Sequence, residues 1–156
     1  MYVAMSELER GELLADLRAT SWPGDRDQSA LAWSTRPSIL RRAASSIAEL
    51  INADADRIVV KGPAAESLGT AVSLASGLQF TVVHGGENTL GELQACEQIA
   101  VISFFSDFLT RDVLTESVRA QSIALFGSEA GLNGKTIFTD QWDETERHQV
   151  EGGQHD

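Results

Sequence analysis

Apolar residues recur at helical spacing in the first part of the chain. Residues 7–19 carry a short and uneven stripe of leucines, and residues 37–51 carry a clear stripe of Ile, Leu and Ala. A Trp-Pro-Gly-Asp turn interrupts the chain between the two stripes. Pro37 suits the first turn of the second helix, which Ser34 or Thr35 can cap. The pattern therefore predicts two N-terminal helices.

Beyond these helices the apolar pattern changes to short runs that alternate with helical periodicity. Helical spacing predicts one helix that ends just before Gly77 and another over residues 112–121. The apolar runs predict strands over residues 57–61, 79–83, 99–105, 122–126 and 136–138. The third run is nearly all apolar, as expected for the covered centre of a parallel sheet. The order predicts an α/β fold, with a mostly parallel sheet flanked by helices and preceded by the N-terminal helices.

The length and the apolar content of the chain suit one folded domain. The sequence has 156 residues, of which 42% are apolar, so a sizeable core is expected. We expect a single domain over residues 1–138, with N-terminal helices over 6–52 and the sheet core over 57–138. Residues 139–156 contain six acidic residues against one arginine and few apolar ones, which indicates a flexible acidic tail.

The formal net charge of −11 disfavours negatively charged partners. Nucleic acids and anionic membranes are held by clustered Lys and Arg, so neither is an expected partner. A phosphate ligand would have to be held by backbone amides, a metal ion or a few local cations. The lone Cys96 excludes an internal disulfide, and no His or Cys spacing predicts a metal site. The N-terminus lacks the layout of a signal peptide, so a cytoplasmic location is expected.

Candidate chemistry is expected beyond the carboxyl ends of the strands, where the loops and helix N-termini of a parallel sheet converge. Three segments are predicted there, at residues 62–67, 84–88 and 105–112. Each also has a purely structural interpretation. An acid before a helix, such as Asp107, need not touch a ligand, and the glycine pair after His84 can form either an anion-binding nest or a plain turn.

The run over residues 58–121 resembles the core of a type I phosphoribosyltransferase, and within that family the orotate phosphoribosyltransferase branch. The resemblance depends on Ile-Val-Val-Lys-Gly-Pro at 58–63, on the spacing from there to residues 75–83, and on Leu-Gly-Glu-Leu at 90–93 before a long apolar strand. The helix over 37–51 also falls where that branch carries one. An unrelated flavodoxin-like or Rossmann-like module is disfavoured, because no Gly-rich fingerprint follows the first strand.

The resemblance implies a reaction and a set of site residues. Such enzymes displace pyrophosphate from phosphoribosyl pyrophosphate with a nitrogen nucleophile, and Mg²⁺ neutralises the leaving group. No cofactor is certain here, and Mg²⁺ is expected only if the protein is active. The implied residues are Asp107 as the catalytic residue, Ser106, Thr110 and Arg111 as phosphate or ribose contacts, Gly62, Pro63, Ala64 and Ser67 in a pyrophosphate loop, and His84, Gly85 and Gly86 in a flexible loop.

The sequence departs from the family pattern where charge matters. Of the two adjacent acids that hold the ribose hydroxyls, at most Asp107 remains. The turn at 109–112 lacks glycine, and Asp112 adds a carboxylate where the family binds phosphate. Residues 84–89 contain neither Lys nor Arg to stabilise departing pyrophosphate. Because about 1.4 kcal/mol corresponds to a tenfold change in rate, these losses predict activity several decades below the family's.

Two hypotheses about function follow. The first is a phosphoribosyltransferase-like protein with weak or lost catalysis that serves as a binding or regulatory subunit for a phosphoribosyl or nucleotide ligand. The second is an active phosphoribosyltransferase that acts on orotate or another base. Family members usually dimerise, so a homodimer is expected, or a hetero-oligomer with an active relative.

Aromatic residues give a further expectation about surfaces. Trp22, Trp33 and Phe108 are candidates for association with a partner. Phe104, Phe105 and Phe108 surround the loop after the third strand, which predicts a more apolar pocket than the family has. The alternative is that Phe104 and Phe105 fill the core.

Overall fold

The computed structural model describes residues 5–83, 98–109, 119–127 and 134–139. Within these ranges the helices are α1 (Glu7–Thr20), α2 (Arg26–Ser34), α3 (Pro37–Leu50) and α4 (Ala65–Ser76). The strands are β1 (Arg57–Val60), β2 (Phe80–Val82), β3 (Gln98–Phe105), β4 (Arg119–Gly127) and β5 (Gly134–Thr139), and a short 3₁₀ turn covers Ser106–Phe108 after β3.

The strands form one sheet in the order β2-β1-β3-β4-β5. Every strand pair among the described residues is parallel. Seven of the eight residues of the central strand β3 are buried, as its apolar run predicts. Val60 stands in register with Val82 of β2 and with Ile102 of β3, so the carboxyl ends of these three strands meet at one edge. The predicted α/β fold with a parallel sheet is therefore confirmed.

Helix α1 begins where its sequence carries a capping signal. The Ser6 hydroxyl accepts a hydrogen bond from the Glu9 amide, and the Glu9 carboxylate accepts one from the Ser6 amide. The helix buries Leu13 and Leu17 and ends at Thr20, one residue beyond the predicted end. The first helix predicted from the sequence is thus confirmed.

Helix α2 was not predicted, so the chain begins with three helices rather than two. Asp25, in the turn that interrupts the apolar pattern, caps α2 by accepting a hydrogen bond from the Gln28 amide at 3.0 Å. Trp33 is fully buried, and its indole N–H donates to the Leu17 carbonyl at 2.9 Å. The prediction that Trp33 mediates association is therefore wrong, because this side chain belongs to the core.

Helix α3 begins without the predicted cap. Its N-cap residue is Arg36, which makes no side-chain capping bond, and Pro37 occupies the first turn as predicted. The hydroxyls of Ser34 and Thr35 instead donate to carbonyls of α2, at Ala30 and Ala32. Both residues belong to the end of α2, which explains why neither caps the next helix.

Strand β4 begins three residues earlier than predicted. Residues 119–121 were assigned to a helix over 112–121, but they pair with β3; the rest of that prediction lies outside the described residues. The Gln121 side chain donates to the Leu50 carbonyl at 2.5 Å and accepts from the Asn52 amide at 2.9 Å. These two bonds attach the end of α3 to the start of β4 and satisfy a buried amide.

All four described helices pack on one face of the sheet and form one core with it. That core includes Leu17 of α1, Ile47 of α3, Leu68 of α4 and Ile102 of β3. Helix α4 approaches the sheet closely at Gly69, where a Cβ would lie 2.9 Å from Val60. Within the described ranges, no helix has the length and apolar character needed to cross a bilayer.

Aromatic side chains fill the part of this core beneath α2. The Trp33 ring lies 5.6 Å from that of Phe104, 5.7 Å from Phe105 and 5.4 Å from Phe126, between centroids. Phe104 and Phe105 are both buried, so the interpretation that they fill the core is confirmed. Phe108 is partly buried and packs against the same core.

Candidate functional site

The candidate site lies at the edge of the sheet where β1 and β3 end. The Lys61 amide donates to the Ile102 carbonyl, and the Val83 amide donates to the Val60 carbonyl, each at 3.0 Å. These bonds extend the ladder one residue past β1 and β2 and fix where the following loops begin. Two of the three predicted segments, those after β1 and β3, are described at least in part at this edge.

The loop between β1 and α4 contains two residues with positive φ. Gly62 has φ +88° and Ala64 has φ +56°, a left-handed conformation that a non-glycine residue seldom adopts. A Cβ on Gly62 would lie 2.7 Å from the Ser103 hydroxyl oxygen and 3.0 Å from the Phe108 ring. The glycine therefore permits close approach of the loop to β3 and Phe108.

Helix α4 begins directly after this loop and has no side-chain cap. The first amide groups of any helix lack acceptors within the helix, and its N-terminus carries partial positive charge. Glu66 in the first turn of α4 partly opposes that charge for an incoming anion. Gly62, Pro63, Ala64 and Ser67 thus lie together around an uncapped helix N-terminus, the arrangement expected of a loop that binds phosphate groups.

Ser106 follows β3, and only 9% of its surface is exposed. Its side chain packs against Gly127 at the end of β4, where φ is +132° and a Cβ would overlap the serine hydroxyl. The Ser106 side chain is therefore covered by the end of the adjacent strand β4. Its predicted contact with phosphate or ribose stays a prediction.

Asp107 projects from the same turn and has 55% of its side chain exposed. Its carboxylate forms an ion pair and a hydrogen bond with the guanidinium of Arg26, the first residue of α2. The same guanidinium lies 5.5 Å from the centroid of the buried Phe105 ring. Arg26 is therefore held by contacts with two residues at the end of β3.

Arg26 was not identified from the sequence. It lies 81 positions before Asp107 and on a helix that the apolar pattern did not predict. A charged residue in the first turn of a helix carries no spacing signal that could place it beside a distant loop. Recognition of Asp25 as a helix cap would have been the one useful indication.

The remaining predicted residues lie outside the described parts of the chain. They are Thr110, Arg111, His84, Gly85 and Gly86. Within the described ranges, no group of three or more His, Cys, Asp or Glu side chains could hold a metal ion. Among the described residues of this edge, Asp107 has a carboxylate that could share a Mg²⁺ ion with oxygen atoms of a ligand.

A separate cavity lies at the opposite edge of the sheet, where β3 and β4 begin. Its volume is about 250 Å³, and its lining includes Asp54, Gln98 and Gln121. The side-chain amide of Gln121 bonds to the backbone of residues 50 and 52, and the backbone N–H of Gln98 donates to the Asp56 carboxylate. These polar groups hold the fold together, so the carboxyl edge remains the stronger candidate.

Comparison with solved structures identifies the fold. UMP synthase from Leishmania donovani matches with a TM-score of 0.61 over 86% of this chain, at 13% sequence identity. Adenine phosphoribosyltransferase from Trypanosoma brucei, in complex with AMP, pyrophosphate and ribose 5-phosphate, matches with a TM-score of 0.59 over 90% of this chain, at 8% identity. The chain spans 36% of the first protein and 84% of the second.

Sequence comparisons add no closer relationship. No protein-family model matches the chain, and no curated protein matches it either. The predicted resemblance to type I phosphoribosyltransferases is confirmed at the level of the fold.

Proposed function

We propose that this chain is a phosphoribosyltransferase-like protein that binds a phosphoribosyl or nucleotide ligand at the carboxyl edge of its sheet and has weak or no transferase activity. The fold supports the ligand class, because the uncapped N-terminus of α4 and the loop at 62–64 lie where this fold brings its loops together. The charge pattern supports the weak activity, since residues 84–89 lack cations and residues 109–112 lack glycine.

The ion pair between Asp107 and Arg26 is the observation that carries this proposal. By the resemblance, at most Asp107 remains of the acid pair that the family uses for the ribose hydroxyls. In the folded chain its carboxylate is engaged by a guanidinium, so a ribose or a ligand-bound cation must compete for it. A transferase that depends on this carboxylate would bind its ribose substrate less tightly, by about two- to fivefold.

An active phosphoribosyltransferase is the second candidate. It is favoured by the left-handed conformations of Gly62 and Ala64 before an uncapped helix, which present backbone amides as a phosphate site requires. Its substrates would be phosphoribosyl pyrophosphate with orotate or another base. In either case a homodimer, or a hetero-oligomer with an active relative, is the expected assembly.

A binding measurement and a turnover measurement together separate these candidates. The purified chain is heated with phosphoribosyl pyrophosphate, ribose 5-phosphate, orotidine monophosphate or orotate, each with and without Mg²⁺. A ligand that binds the native state at about one hundred times its Kd stabilises the fold by about 2.7 kcal/mol. We expect a rise in Tm with ribose phosphates and, in a pyrophosphate-release assay, a rate at least about a thousandfold below a true orotate phosphoribosyltransferase.

Two aspartate variants locate the binding. Asp107→Asn should reduce the rise in Tm, whereas Asp16→Asn should leave it unchanged. Asp16 is a matched control, because it also pairs with an arginine, Arg42, and 51% of its side chain is exposed. Turnover at the family's rate would overturn the proposal of weak catalysis, and no rise in Tm with any ligand would overturn the proposed ligand class.

A further inference from the structure

Helix α2 brings the positive charge of Arg26 to an edge of the sheet whose own loops contribute few cations. The ion pair joins the N-terminal helices to the turn after β3. Both of its side chains are partly exposed, Arg26 to 36% and Asp107 to 55%. Solvent and ligands therefore have access to both charged groups. An exposed ion pair of this kind is weak enough to exchange partners.

The position of the Arg26 guanidinium is set by two neighbours. One is the carboxylate of Asp107, and the other is the face of Phe105, a ring that is 2% exposed and fixed in the core. Helix α2 is itself anchored by the buried Trp33. The arginine is consequently presented to Asp107 by rigid parts of the fold.

We infer that Arg26 is a specificity-determining residue of this edge, because it competes with ribose hydroxyls and with ligand-bound cations for the carboxylate of Asp107. This inference rests on the proposed ligand-binding function and names a residue that limits it. A ligand that uses the Asp107 oxygen bonded to Arg26 must displace the guanidinium first. A ligand held only by the loop at 62–64 and the N-terminus of α4 does not meet this competition.

Substitution of Arg26 tests the competition directly. Arg26→Gln removes the charge and should bind ribose 5-phosphate with Mg²⁺ about two- to fivefold more tightly than the unchanged protein, by isothermal titration calorimetry. Arg26→Lys keeps the charge and should stay near the unchanged affinity. Inorganic pyrophosphate, which has no ribose hydroxyls, should show no gain with Arg26→Gln in the absence of Mg²⁺.

A matched variant and a double variant separate competition from a general effect of charge. Arg42→Gln removes an equivalent arginine, which pairs with Asp16 and has 28% of its side chain exposed, and should leave the affinity unchanged. In an Asp107→Asn background, Arg26→Gln should have no effect on the affinity for ribose 5-phosphate, because the carboxylate for which Arg26 and the ligand compete is absent. The melting temperature of each variant verifies that it is folded.

The outcomes distinguish this inference from the proposed function. Weaker binding by Arg26→Gln would overturn the inference, since Arg26 would then bind the anionic ligand itself, and so would an affinity equal to that of the unchanged protein. In both cases the proposed function stands. Tighter binding by Arg26→Gln than by the unchanged protein would support both. If neither the unchanged protein nor any variant binds the ligand at millimolar concentration, the proposed function is overturned, and the inference with it.

Discussion

Gly24 and Gly62 have similar φ angles in very different surroundings. Their φ angles are +78° and +88°, both in the region that favours glycine. A Cβ on Gly24 would meet nothing within 4 Å, whereas a Cβ on Gly62 would lie 2.7 Å from the Ser103 hydroxyl oxygen. The two residues therefore separate the cost of backbone conformation from the cost of close packing.

Gly62→Ala should be more destabilising than Gly24→Ala. Each alanine is held at positive φ, at a cost of about 1–2 kcal/mol. Only the alanine at 62 must also displace Ser103 and Phe108, which adds about 1–3 kcal/mol of overpacking. Urea denaturation should show the free energy of unfolding reduced by about 1–2 kcal/mol in G24A and by about 2–5 kcal/mol in G62A. Equal losses would mean that the loop moves freely away from β3.

Single residues also mark the limit of prediction at the candidate site. The position of Asp107 after β3 follows from the strand pattern and is confirmed, because the apolar run ends at Phe105. Its partner Arg26 could not be predicted, since 81 positions separate them and the contact depends on how a helix docks. Binding of a ligand by Asp107 depends on the contact with Arg26, so it could not be predicted from the sequence.

Helix α2 shows why an element can be missed. Its apolar residues, Ala30, Leu31, Ala32 and Trp33, are adjacent in sequence and so give no spacing of three or four. The helix is held by a cap at Asp25 and by one large buried side chain, Trp33. By contrast, α3 shows a regular apolar stripe and was predicted to within one residue at its end.

Trp33 should carry most of the energy that docks α2 on the sheet. Trp33→Ala leaves a large cavity among three phenylalanine rings and removes the bond to the Leu17 carbonyl, so we expect a loss of about 3–5 kcal/mol. Leu31→Ala on the same helix serves as the control, because Leu31 is 54% exposed and should change stability by less than about 0.5 kcal/mol. The measurement is the free energy of unfolding in urea.

A small effect of Trp33→Ala would indicate that α2 contributes little to the native state. The competition of Arg26 for Asp107 would then lack a rigid support. If α2 instead depends on Trp33, the variant should also behave like Arg26→Gln in binding ribose 5-phosphate, provided that its melting temperature shows a folded protein. The element and the site are thus linked through one buried side chain.

At the scale of the whole molecule, the helices and the sheet share one apolar core. Buried residues from α1, α2, α3 and α4 belong to the same cluster as those of β1, β3, β4 and β5, among them Ile47 and Ile102. Bonds between distant backbone and side-chain groups reinforce it, such as that from the Arg10 guanidinium to the Ile137 carbonyl at 2.7 Å. Opening the N-terminal helices alone would expose the face of the sheet that they cover.

We therefore expect α3 and β3 to unfold together. Native-state hydrogen exchange should give the slowest amides of both elements, around Ile47 and Ile102, opening free energies that agree within about 1 kcal/mol and approach the global value from urea. The amides of the first turn of α1 provide the comparison, because helix ends fray at much lower cost. Exchange in α3 at several kcal/mol below β3 would contradict a shared core and would make the N-terminal helices an independent unit. In that case Arg26 would lie on a segment that can leave the sheet without global unfolding. The affinity of the Arg26→Gln variant would then depend on the docking of that segment as well as on the competition for Asp107.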